Sequence, residues 1–345
     1  MFKNYCLVAA VAALAATASA QWTYEKHIDL SGQINGSLLS IASDSNGDLY
    51  LTTYFGTGDR PVYKVSDPLG ATPVLSDFAT PGYTSSNGSD LSVDSSDNVW
   101  LCHDTNSEAT SFIKKMTPAG TLDAAFASAG TVSPVVFNVA GTPTNRRPRS
   151  ITYVEGGKLL VFSWGNPMLL QVLDASTGAP IGDAIDVGVG TGISDSMHDM
   201  VYDASTNAIT GSLRGNLFQI TSSNASATLA NLPDYSIFTK LAGDDFPAGN
   251  SNSGGTWDPT ENLYAFTSSK TVPGSVTVVD LDDTGNQTVI GPAVSESGHL
   301  GNAGDCTFFR SGGELYLAIN CETLGDIAIY SFNAQASVTD WVLYQ

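Results

Sequence analysis

The stretch TPTNRRPRS at positions 142–150 gathers Arg146, Arg147 and Arg149 in a chain that carries 34 Asp and Glu against 14 Lys and Arg. Guanidinium groups fork onto carboxylate, sulfate or phosphate through paired N–H bonds, so the block reads as an anion clamp. The preferred reading is a brace, in which these arginines bond neighbouring acidic loops and hold the ring. His103 beside Asp104, and His198 beside Asp199, are residue types suited to metal ligation or acid/base work, since neutral imidazole serves both. Neither pair has H-x-x-x-H or another metal-ligand spacing. Asp44, Asn46 and Asp48 alternate as in a calcium loop, but Leu49 stands where such a loop needs Gly, and Phe55 where it needs Glu. DSNGD at 44–48 and DSSDN at 94–98 therefore read as hairpin turns. No G-x-S-x-G, P-loop or dinucleotide fingerprint occurs in its required context.

The elements that must position these residues repeat along the chain. GDLYLTTY at 47–54 returns as DNVWLCHD, GKLLVFSW, NAITGSLR, ENLYAFTS and GELYLAIN, centred on Leu49, Val99, Leu159, Ala208, Leu263 and Leu315. A near-constant period of this length marks a repeat architecture. Each copy is preceded by a shorter strand (LLSIAS, DLSVD, SITYV, HDMVYD, GGTWD, CTFFR) and a polar turn whose Gly, Asn or Asp supplies positive φ. A third strand follows each copy. The fourth is expected at TPVLSDF, TLDAAFA, IGDAIDV, ATLANL, TVIGPAV and VTDWVLY. Six four-stranded antiparallel units predict an all-β chain folded as a six-bladed β-propeller, in which radial closure leaves only short edges. WTYEKHIDL is expected to complete or extend the last blade beside VTDWVLY.

The opening MFKNYCLVAAVAALAATASA has one Lys, an apolar run and a small-x-small end at Ala18-Ser19-Ala20, the form of a signal peptide. The expected mature domain is 21–345, secreted or periplasmic, with no membrane span, and monomeric. Without Lys3 it has 13 basic and 34 acidic residues, a net charge of −21. Nucleic acid is excluded as a general partner, because that affinity comes largely from Lys and Arg on phosphates. Among the cysteines that remain, Cys306 and Cys321 bracket the first hairpin of blade six and are expected to form a disulfide, with Cys102 a buried thiol.

In a propeller the start of the first strand and the end of the second share one face. That phase places Asp90, His103, Asp104, Arg147, Arg149, Trp164, His198, Asp199, Arg214, Asp305 and Glu322 around one channel mouth, opposite the hairpin tips. A concave ligand-binding site is expected there.

SIASDSNGDLYLTTY at 40–54 and LSVDSSDNVWLCHD at 91–104 resemble the NHL-repeat and SMP-30/gluconolactonase-like propellers. The resemblance implies a divalent cation, calcium or similar, held in the channel by Glu, Asn and Asp, and a hydrolase or lactonase activity. By phase, Asp90, His198, Asp199, Asn302 and Asp305 would hold the ion. Blade one opens NGSLLSIASD, with no acid before Asp44, where that pattern has its glutamate. Two functions are thus expected in order: a non-enzymatic propeller binding a protein or small-molecule ligand at the channel mouth, and a metal-dependent hydrolase.

Overall fold

The computed structural model describes residues 21–54, 56, 58–83, 89–191, 197–213, 215–243, 254–269, 274–290, 303–322 and 325–333. The signal-peptide expectation and VTDWVLY lie outside them. The inner strands are Ser37–Ser43, Ser89–Val93, Thr142–Val154, Met197–Asp203, Gly255–Asp258 and Ala303–Ser311. Each packs on the next, and the last packs on the first, giving six antiparallel blades around an axis.

Local chemistry makes each blade. Turn residues with positive φ, such as Gly47, Asp97 and Asn207, connect first to second strand. The second strands lie between neighbours on both faces, so they are largely apolar and deeply buried: all five residues of Val99–His103 are buried. The core is correspondingly split among the seams. Blades three and four share Phe162, Leu170, Ile209 and Leu213, while blades six and one share Phe309, Ile327, Leu38 and Leu49.

The ring is closed by the N-terminal strand. Gln21–Asp29 pairs with Asp326–Asn333 as the outer strand of blade six, so that this blade combines residues from both ends of the chain.

Two expected outer strands lie elsewhere. In blade two the fourth strand is Thr131–Val132, not TLDAAFA, because Asp123 turns back to Lys115 and Phe126 folds under Trp100. In blade four it is Tyr235–Gly243, not ATLANL. Leu229–Asp234 is instead a 3₁₀ turn that buries Leu229 and Leu232, a spacing of three that suits that helix. Blade three has an extra strand, Val135–Val139, paired with the first half of Thr142–Val154.

The expected Cys306–Cys321 disulfide is not formed; both residues are buried thiols. The hairpin register is the reason: from Ser311 opposite Glu314 the ladder runs back to Cys306 opposite Ile319, while Cys321 lies opposite Ala303, so the two cysteines are not partners across it. Among the described residues no helix is long and apolar enough to cross a membrane.

Candidate functional site

The ladder between first and second strands slips at a similar height in four blades: between Leu38 and Ile41, Pro148 and Ser150, His198 and Val201, and Ala303 and Cys306. Bulges of this kind re-aim side chains. Here they accompany a layer of polar groups shared between blades near the axis.

Asp305 of blade six accepts from the backbone N–H of Ile41 in blade one at 2.9 Å and from that of Cys306 at 2.7 Å. Its own N–H donates to Asn320 Oδ1 at 2.7 Å. Asp90 of blade two accepts from Ser40 Oγ of blade one at 2.8 Å and from the Ile151 N–H of blade three at 2.9 Å. The axis-facing edge of an inner strand has no further strand to pair with, and these carboxylates satisfy its donors. They link blade six to one, one to two, and two to three.

Both carboxylates are buried, Asp90 at 1% exposure and Asp305 at 3%. Burial, and next the charge of Asp90, push the Asp305 carboxyl up to about 7; burial also raises that of Asp90. Burial and the charge of Asp90 thus both disfavour ionisation of Asp305. Gly254 of blade five abuts Asp305: a Cβ there would stand 1.8 Å from its Oδ1.

Outside this layer lies the mouth. Arg147 grips Asp104 with two bonds, Nε to Oδ1 at 2.7 Å and Nη2 to Oδ2 at 2.8 Å, tying blade three to blade two. Arg146 lies 3.6 Å from Glu108, and Arg149 is buried. His103 is buried against Phe112, ring centres 5.2 Å apart. Burial, then the charge of Arg60, lowers its pKa to about 3, so the imidazole is neutral. Glu322 follows Cys321 at the end of the second strand of blade six and is half-buried. The backbones of Trp164 and His198 pair with Arg147 and Ser212, and Asp199 lies in the adjoining bulge. The side chains of those three residues, and the whole of Arg214 and Asn302, are outside the described part.

A cavity of about 230 Å³ follows the axis on the tip side of the carboxylate layer. Ser43, Ser92, Thr152, Thr256 and Thr307 contribute hydroxyls to its wall. Several of these already bond neighbouring strands: Ser92 Oγ accepts from Tyr153 N at 2.9 Å, and Ser43 Oγ donates to Phe308 O at 2.7 Å.

Asp44 and Asp94 at two of the tips bond donors of their own hairpins. Asp44 Oδ1 accepts from the N–H groups of Asn46 and Asp48, and Asp44 Oδ2 from the Tyr50 hydroxyl. Asp94 does the same with Ser96, Asn98 and the Trp100 indole. Both stretches are turns built on their own aspartate. The sequence reading missed Ser40, Asn320 and Gly254, whose roles depend on bulges and on close approach between blades. Only the small size of Gly254 hinted at such an approach.

No protein-family model matches the chain, and no curated protein does. Solved structures do match. A structural genomics protein of unknown function from Bacteroides thetaiotaomicron is 12% identical over 91% of this chain and 74% of its own, with a TM-score of 0.54. The β-propeller domain of Myceliophteria thermophila Cps50 (Swd1) is 13% identical over 85% and 83%, with a TM-score of 0.48. The Dos1 propeller is 12% identical over 90% and 95%, with a TM-score of 0.49. At these identities the likeness is one of fold.

Proposed function

We propose that the protein is an exported binding propeller that engages a ligand or protein partner at its channel-mouth face and catalyses no reaction there. The observation that carries this reading is the use made of Asp90 and Asp305. A channel hydrolase of the SMP-30-like kind would present such acids to a divalent ion as open carboxylates. Here each oxygen accepts a hydrogen bond from the protein, and burial favours the protonated form. Among the described residues, no group of three or more His, Cys, Asp or Glu is arranged to hold a metal. These acids do not fit the ion that the resemblance implies.

The same face carries structure beyond what a blade needs. The inner strand of blade three extends into a hairpin with Val135–Val139, and that hairpin sets Arg146 beside Glu108 and the Asp104–Arg147 pair near the mouth. Extra surface with fixed polar groups beside a rigid ring suits recognition.

The test is elemental analysis of the purified, dialysed chain together with a lactone and ester turnover screen in the presence of calcium, magnesium, manganese or zinc. The reading expects substoichiometric metal and no turnover above background. One tightly held ion per chain, with turnover lost to a chelator, would establish the hydrolase instead.

A further inference from the structure

Blades one and two carry the same group of side chains beside their hairpin tips. In blade one Lys64 lies opposite Tyr50 in the ladder, 5.1 Å over that ring, and bonds Asp48 at 2.8 Å. Phe78 meets Tyr50 edge-on at 4.8 Å. In blade two Lys115 lies opposite Trp100, 5.2 Å over its ring, and bonds Asp123 at 2.8 Å. Phe126 meets Trp100 edge-on at 5.0 Å.

What covers the two groups differs. Over blade one, the Thr117–Thr121 turn of blade two descends onto Phe78, so near that a Cβ on Gly120 would stand 2.0 Å from the Phe78 carbonyl oxygen. Over blade two, the gap to blade three is a cavity of about 500 Å³. The tip of blade three there is Gly156–Gly157, and a Cβ on Gly157 would meet nothing within 4 Å. The outer wall is the segment around Asp123 and Phe126, tied to blade three by a bond from Ala127 N to Ser176 O at 2.9 Å. The cavity is thus walled by both blades, and its size is that of a ligand pocket.

Its chemistry is uneven. One wall is Tyr153, stacked on the buried Trp100 with ring centres 6.1 Å apart and planes 17° apart. Asp94, Asp123 and Asp174 stand against the single cation Lys115. In Asp174 the four turn bonds, from the N–H and hydroxyl of Ser176 and of Thr177, all fall on Oδ1, which leaves Oδ2 outside that network. Bonds from Lys115 and Ser176 hold Asp123 and Asp174 below the usual carboxylate range, so both stay charged. Lys115 itself shows what the walls accommodate: an ammonium group placed over an aromatic face and against a carboxylate.

We infer that the cavity between blades two and three is a second binding site, for an alkylammonium or guanidinium group carried by a free amine or by a Lys or Arg side chain of a polypeptide. Cation–π attraction and a carboxylate pair act together on such a group when water is displaced, and the strongly negative chain concentrates cations around it. The site lies on the tip face, away from the channel mouth, so its test and that of the proposed function fail independently.

Isothermal titration of the full chain with agmatine and with a blocked Gly-Arg-Gly peptide tests it. Saturable binding is expected for at least one probe, and none for the peptide with citrulline in place of arginine. Asp174→Asn, which keeps the turn acceptor and removes the charge, should weaken binding about tenfold. Ala125→Trp fills the cavity from an exposed position without removing a charge, and should abolish binding. Binding of agmatine assigns a free amine as sufficient, whereas binding of the peptide alone assigns a polypeptide; either supports the site. No saturable binding of either probe overturns it, as does an affinity unchanged in Asp174→Asn.

Discussion

Asp90 and Asp94 lie at opposite ends of the same inner strand of blade two and act in different ways. Asp94, at the tip, accepts from Ser96 N and Asn98 N at 3.0 Å and from the Trp100 indole at 3.1 Å, all within its own hairpin. Asp90, at the axis, accepts from Ser40 of blade one and Ile151 of blade three. One carboxylate shapes a turn and the other fastens three blades. In blade two the height of the acid along the strand separates the two roles, because Asp90 at the axis meets donors of other blades, whereas Asp94 is surrounded by the donors of its own hairpin.

The largest effect should come from crowding the axial layer. Gly254→Ala would set a Cβ 1.8 Å from Asp305 Oδ1 and 2.5 Å from its Cα. The side chain must leave the Ile41 N–H and the backbone must shift, at a cost of about 3 kcal/mol or more in urea unfolding. Asp90→Ala comes next. It removes the acceptor of two buried donors, Ser40 Oγ and Ile151 N, for a loss of about 2–4 kcal/mol. Asp94→Ala should cost only about 1 kcal/mol, since water can reach the freed turn amides. Equal losses for the last two would break the contrast between axis and tip.

The pH dependence sharpens it. In the folded chain Asp305 keeps its proton up to about pH 7, against an ordinary value of 3.8 when unfolded. Between those values the folded state holds the extra proton, so the contribution of this group is complete below about pH 4 and falls as pH rises toward 7. Relative to Asp305→Asn, the wild type should lose stability across that window by up to about 1.4 kcal/mol per pH unit. His103 runs the other way. Its folded value of about 3 against 6.5 means its contribution is present above pH 6.5 and is lost as pH falls toward 3. The difference between Asp305→Asn and wild type isolates the first effect, and a flat difference curve would contradict the raised value at Asp305.

The fold was legible because every blade must repeat the same apolar second strand, Leu49–Tyr54 through Glu314–Cys321. Outer strands were less so. They are half-exposed, and their alternation is weak, so TLDAAFA and ATLANL resembled strands as well as Thr131–Val132 did. The candidate site was legible in part: blade phase placed Asp90 and Asp305 near the channel. Their partners were not, because a bulge leaves no mark in sequence and shifts the facing residue, as it does between Ala303 and Cys306. The arginine block shows the same limit. Asp104 precedes Arg147 by a whole blade, and only the ring brings the two within 2.7 Å.

The central claim is that the axial acids fasten the ring and hold no metal. Anything that binds the folded state alone raises its unfolding midpoint. The direct measurement is the urea midpoint of the full chain in a chelator and then in millimolar calcium, magnesium or zinc. The account predicts one midpoint under all these conditions for wild type and for Asp305→Asn, apart from the fixed offset between the two proteins. A midpoint that climbs with one ion in wild type, and does not climb in Asp305→Asn, would contradict it.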